Sequence, residues 1–202
     1  MQIIKVIDHF RILSLSSQKF ILMPFLETPI EGLLVFEPQV WEDDRGYFFE
    51  SYNQQYFAQN GIHTVFVQDN EAKSTVGVLR GLHYQTSTAA QAKLVRVTEG
   101  EVFDVAVDLR PGSTTYGQWH GVFLSAQNKR QYFVPRGFAH GYLVISPTAV
   151  FCYKCDNFYD KNAEGGLCFD DAAIGVEWPK IEGKYLLSEK DKVWPKFGQH
   201  KI

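Results

Sequence analysis

The chain has 202 residues, 45% of them hydrophobic and 15% aromatic, and its 20 Lys and Arg against 23 Asp and Glu give a formal net charge of −3. That is enough apolar material for one domain with a sizeable core, and with no long run of one charge the sequence does not advertise nucleic acid as a partner. Three cysteines, Cys152, Cys155 and Cys168, are too few and too clustered for a secreted disulfide framework, which points to a reducing, cytoplasmic setting.

From the N-terminus, Lys5, Asp8, Arg11 and Lys19 interrupt any apolar stretch long enough for a signal peptide or a membrane span, so no membrane partner is expected. Met23 opens a better-patterned segment, and residues 1–22 read as an N-terminal extension in front of a single domain over 23–202. Short apolar-alternating runs bounded by Gly, Pro, Asn and Asp follow at 33–37, 47–52, 76–84, 92–98 and 102–109, then at 119–124, 131–134, 141–145 and 149–155. Evenly spaced short strands of this kind predict an all-β sandwich or barrel. Helix is confined to short peripheral pieces, one over 53–60 opened by Asn53 and stopped by Gly61, another beginning near Ser188.

The densest chemistry lies in residues 77–85, where Arg80, His83 and Gln85 interrupt an apolar strand, a costly arrangement unless a ligand or partner satisfies the polar groups. Gly81 is a candidate bulge that would turn Arg80 and His83 toward one cavity despite their opposite parity. Lys93, at a strand entry, either snorkels to solvent or stabilises an oxyanion. On the strand over 101–109, Asp104 and Asp108 share one face, for which solvent or neighbouring Arg and Lys partners are the ordinary expectation. Cys152 and Cys155 sit three apart on a strand, hence on opposite faces, and read as two unrelated thiols. Tyr153 beside them is either a packing residue or a proton carrier, and Asp191, three residues after Ser188, reads as a helix-capping carboxylate.

Pro135-Arg136-Gly137-Phe138-Ala139-His140 resembles the second short motif of the cupin superfamily, Pro-x-Gly-x-x-His. The first cupin motif normally supplies a His-x-His pair toward a divalent metal; here that position reads His83-Tyr84-Gln85, so the ligand set looks incomplete. The expectation is a cupin jelly-roll barrel with no metal and no cofactor. Side chains must then move protons, with His83 the natural base because its unperturbed pKa of about 6.5 lies near neutrality.

Over 25–192 the chain resembles the dTDP-4-dehydrorhamnose 3,5-epimerase family. The stretches that carry the resemblance are Asp44-Arg45-Gly46-Tyr47-Phe48-Phe49-Glu50, Gln68-Asp69-Asn70, Leu79-Arg80-Gly81-Leu82-His83-Tyr84-Gln85, the strand over 100–110, Asn128-Lys129-Arg130-Gln131, Gly137-Phe138-Ala139-His140-Gly141 and Leu187-Ser188-Glu189-Lys190-Asp191. The resemblance implies cofactor-independent epimerisation of dTDP-4-dehydro-6-deoxy-D-glucose at C3 and C5 to dTDP-4-dehydro-L-rhamnose by a homodimer. It implies His83 as base oriented by Asp191, Tyr153 as acid on the opposite face of the sugar, and Lys93 stabilising the enolate. By the same implication Arg80 holds substrate near the diphosphate, and Arg45, Glu50, Gln68, Asn70, His140, Glu164 and Lys190 shape the nucleotide and sugar site. Three alternatives stay open at this point: an enzyme acting at one centre or isomerising a related sugar, a metal-dependent cupin, and a non-catalytic sugar-nucleotide binder.

Overall fold

Short apolar-rich runs form the strands that dominate the regular structure, as the computed structural model shows for the residues it describes, 25–201. The expected extension over 1–22 lies outside the described residues. The strands are β1 (Phe25–Glu27), β2 (Leu34–Phe36), β3 (Trp41–Asp43), β4 (Gly46–Phe48), β5 (Gln68–Thr75), β6 (Leu79–Gln85) and β7 (Lys93–Glu99). They continue with β8 (Glu101–Asp108), β9 (Trp119–Ser125), β10 (Gln131–Val134), β11 (Phe138–Val144), β12 (Thr148–Cys155) and β13 (Glu164–Gly166). One antiparallel sheet has the order β1-β2-β10-β7-β12-β5 and the other β13-β6-β11-β8-β9, while β3 and β4 form a separate hairpin. The two large sheets face each other as the all-β jelly-roll sandwich of a cupin.

The inner faces meet in a cluster that joins Val95, Val97 and Phe151 of the first sheet to Val102, Leu124, Tyr142 and Val144 of the second. Phe151 stacks on Tyr142 across the gap with ring centroids 4.0 Å apart. Each such fully buried side chain contributes roughly 1.5–3 kcal/mol. A second cluster covers the outer face of the five-stranded sheet, where Leu82, Val105 and Val107 pack against Leu167 and Ile174, with Trp178 and Phe197 over them. β8 is therefore buried on both faces.

That double burial corrects the expectation for its two acids. Asp104 is fully buried, pointing between the sheets, and has neither solvent nor an Arg or Lys hydrogen-bond partner; its Oδ1 instead meets His140 Nε2 at 2.7 Å. Asp108 does find its neighbour: Arg110, Ser113 and Thr115 all donate to it. Desolvation works to raise the Asp108 pKa, but those donors overcome it and push the carboxyl down to about 2.

α1 (Gln54–Gln59) forms as its capping chemistry predicts, with Asn53 Oδ1 accepting from Tyr56 N at 3.1 Å. It plugs Phe57 into a third cluster beside Phe36 and Phe133 on the outer face of the six-stranded sheet. No helix follows Ser188. Residues 188–193 make hydrogen-bonded turns only, because Ser188 Oγ satisfies Asp191 N locally and Pro195 stands too close for the turn to propagate. The strand expected over 47–52 shortens to β4. β5 goes unannounced in the sequence because Ala72 is its single apolar residue; it is an edge strand, paired only with β12. Among the described residues no helix is long and apolar enough to cross a membrane.

Candidate active site

A cavity of about 720 Å³ opens between the two sheets, bordered by Arg80, His83, Lys93, His140, Tyr153 and Asp191. Arg80 and His83 have opposite parity on β6 and reach the same cavity through an irregularity in the pairing with β11. His140 pairs with His83 but Tyr142 pairs with Arg80, so two residues of β6, Gly81 and Leu82, stand against one of β11. The local geometry demands glycine on both strands: Gly81 has φ +140°, and a Cβ on Gly141 would lie 2.6 Å from the Arg80 carbonyl oxygen and 2.9 Å from Gly81 Cα. Gly141→Ala is expected to push β6 off β11, costing about 1–3 kcal/mol of stability and lowering activity further by displacing Arg80 and His83. Thermal melts alongside turnover assays check both effects.

His83 comes from the five-stranded sheet. Its Nε2 meets Asp191 Oδ1 at 2.5 Å, leaving Nδ1 as the other ring nitrogen. Asp191 is buried, and its second oxygen accepts from Ser188 Oγ at 2.8 Å while Trp194 Nε1 donates to Oδ1 at 3.2 Å. The sequence reading of Asp191 as a helix-capping carboxylate is therefore corrected: no helix follows Ser188, and its oxygens are taken by the Ser188 hydroxyl on one side and by His83 and Trp194 on the other. Desolvation alone would raise its pKa, but the hydrogen bonds from His83, Ser188 and Trp194 hold it below the usual value, so it stays ionised beside the imidazole.

Tyr153 and Lys93 come from the opposing sheet, on β12 and β7, which are paired. Burial pushes the Tyr153 phenol up, with Cys155 adding to this and Arg80 opposing it, so the hydroxyl keeps its proton at neutral pH. Lys93 retains some exposed surface toward the cavity, yet desolvation lowers its ammonium pKa, partly offset by Cys155, Asp104 and Glu164. His140 sits across from His83 in register and is held by Asp104, whose Oδ2 is buried without a hydrogen-bond partner. Arg80 Nε donates to Ser74 Oγ at 3.2 Å.

The remaining expected site residues fall into two groups. Lys190 borders the cavity and pairs with Glu164 at 2.5 Å. Gln68 and Asn70 lie on β5 opposite Cys155 and Tyr153, hydrogen-bonded to each other at 2.9 Å, and Asn70 borders a smaller recess of about 260 Å³ that also includes Tyr153. Arg45 and Glu50, by contrast, are not brought to the cavity: Arg45 stands at the tip of the β3–β4 hairpin, its side chain 90% exposed and paired with Asp43. Glu50 follows the hairpin and, like Arg45, is absent from the cavity's lining. Gln85, at the second cupin ligand position, is also turned aside, accepting from Asp160 N at 2.9 Å. Among the described residues no three His, Cys, Asp or Glu side chains gather as a metal-ligand group. Cys152 and Cys155 are separate free thiols. Sequence reasoning misses Tyr142, which β11 places at the cavity, and Leu186 and Trp194, which reach the site or its support only through the return of the C-terminal segment beside the start of β6.

A family model described as dTDP-4-dehydrorhamnose 3,5-epimerase matches residues 27–199. A protein of that name from Shigella flexneri is 53% identical over 176 residues, covering 87% of this chain and 96% of its own. The crystal structure of the Elizabethkingia anophelis dTDP-4-dehydrorhamnose 3,5-epimerase superposes with a TM-score of 0.83 at 52% identity, covering 87% of this chain and 97% of that one. A Legionella pneumophila dTDP-6-deoxy-D-glucose-3,5-epimerase, solved in complex with dTDP-4-keto-L-rhamnose, gives 0.83 at 46% identity over 87% of this chain and 93% of that one. The chain belongs to the dTDP-4-dehydrorhamnose 3,5-epimerase family.

Proposed function

We propose that this chain converts dTDP-4-dehydro-6-deoxy-D-glucose to dTDP-4-dehydro-L-rhamnose by inverting C3 and C5. The observation that carries this reading is the placement of an imidazole–carboxylate pair, His83 and Asp191, on one sheet and a protonated phenol, Tyr153, on the facing sheet, around a single cavity. The C4 ketone acidifies the hydrogens on C3 and C5, since either carbanion delocalises onto the ketone oxygen. His83 takes the proton through Nδ1, and Asp191 stabilises the imidazolium that forms, as a carboxylate does in a hydrolase triad. Lys93 supplies the fixed cation for the enolate oxygen, an interaction worth more in a desolvated cavity than in water. Tyr153 delivers a proton from the opposite side, and this change of face inverts the carbon. One wall acting alone would restore the starting stereochemistry.

Arg80 and Lys190, cationic and at the cavity, suit the diphosphate and sugar, with His140, Gln68, Asn70 and Glu164 nearby. Arg45 and Glu50 fit this scheme in a homodimer, in which the hairpin reaches the site of a second copy. The hairpin's exposed aromatics, Trp41 at 45%, Tyr47 at 57% and Phe48 at 69%, support such a covering partner. Three free thiols suit a cytoplasmic enzyme. Incubating the purified protein with dTDP-4-dehydro-6-deoxy-D-glucose in D₂O and following it by NMR tests the reading. Deuterium at both C3 and C5 of an inverted product is expected; label at C3 alone would reduce the activity to a single centre.

A further inference from the structure

Trp194 is not among the residues bordering the cavity, yet it meets both members of the His83–Asp191 pair. Its indole Nε1 donates to Asp191 Oδ1 at 3.2 Å, the same oxygen that meets His83 Nε2 at 2.5 Å. Its ring stands edge-on to the imidazole, centroids 6.0 Å apart at 67°. Behind it, Gly166 leaves the space the indole needs: a Cβ there would lie 2.3 Å from Trp194 Cδ2. In front, Lys190 Nζ lies 5.7 Å from the ring centroid while bonded to Glu164. The following segment anchors the residue, with Cys168 N donating to Pro195 O, Phe197 N to Asp171 Oδ2, and Tyr84 Oη to the Lys201 carbonyl.

We propose that Trp194 is a positioning residue for proton transfer by His83: its N–H aims the Asp191 carboxylate and shares the oxygen that holds the imidazole, which moderates how tightly the imidazolium is held. An acceptor oxygen that receives two donors gives less of its charge to each, so the pair releases the abstracted proton more readily than an isolated His–Asp pair would. This inference rests on the assignment of His83 as the base. The charged and titratable groups around the pair are Arg80 on β6, Lys93 on β7, His140 on β11 with Asp104 behind it, Tyr153 on β12 and the Lys190–Glu164 pair. Trp194→Phe alters none of these groups and keeps an aromatic ring beside Gly166, removing the donor together with three heavy atoms of the indole.

The test is the pH profile of kcat/KM for the parent, Trp194→Phe and His83→Ala in parallel. Without the indole N–H, Asp191 holds the imidazolium more strongly, so His83 stays protonated to higher pH. The acidic limb of Trp194→Phe is expected to move upward by about half a unit, with kcat lowered about two- to tenfold and KM unchanged. A profile that superimposes on the parent's, even with reduced kcat, would make Trp194 a packing residue and overturn the proposal while leaving the base assignment intact. Full activity in His83→Ala would instead remove the base assignment on which the proposal stands. Should Trp194→Phe fail to fold, the parent suffices: the Trp194 indole proton resonance is expected to shift through the same pH range as the acidic limb, and a resonance that does not respond contradicts the proposal.

Discussion

His83→Ala is expected to lower kcat by about 10²–10⁴ while leaving dTDP binding within a few-fold of the parent. The range is that of a positioned general acid or base, and the separation of binding from chemistry follows from where the imidazole sits. It is bonded to Asp191 on one nitrogen and borders the cavity, while Arg80 and Lys190, the cavity cations proposed to hold the diphosphate and sugar, are not touched by the substitution. kcat and kcat/KM should fall together, the signature of an interaction made in the transition state. Asp191→Asn should fall in the same direction, since an amide cannot stabilise an imidazolium as a carboxylate does. Steady-state turnover combined with calorimetric titration of dTDP reads both quantities. Parental turnover in purified His83→Ala would remove the base from the scheme.

Tyr153→Phe has a more specific signature. The substitution keeps the ring, which lies 6.0 Å from Phe151, and deletes only the hydroxyl, so the fold should be retained. With the opposite-face donor gone, His83 still removes a proton and returns one to the face it came from. Product formation is expected to fall by about 10²–10⁴, while recovered substrate, incubated in D₂O, gains deuterium without inversion. Loss of product and persistence of exchange, measured in one NMR experiment, separate the two walls of the cavity. Product formed at the parental rate would mean that the returning proton has another source.

Much of this arrangement is legible in the sequence, and the reasons for what is not are physical. The strands of the core show as short apolar runs between turn residues, and the short helix announces itself through Asn53. Gly81 marks the bulge because a mid-strand glycine between a cation and an imidazole weakens an apolar strand without filling space, a loss that a kink in the backbone offsets; the pairing offset between β6 and β11 is that kink. β5 is hard to read because an edge strand beside a cavity mouth needs almost no apolar residues. Asp104 looks like a surface acid because parity cannot tell that the outer face of the five-stranded sheet is also covered, by residues 167–197 that lie far along the chain. Asp191 lies 108 positions along the chain from His83; its spacing speaks of a helix cap, but the segment forms only a turn, and only the family resemblance links it to the imidazole. Arg45 and Glu50 show the reverse case, residues the resemblance assigns to the site that a single chain does not bring there.

The central claim is that an imidazole and a phenol work on opposite faces of one sugar ring. A crystal structure of the protein with a bound dTDP-linked 4-keto-6-deoxysugar tests this most directly. The account predicts the hexose lying between the sheets, with His83 Nδ1 over one face, Tyr153 Oη over the other and the C4 oxygen turned toward Lys93. Both groups on the same face of the ring, or a hexose bound outside the cavity, would contradict it.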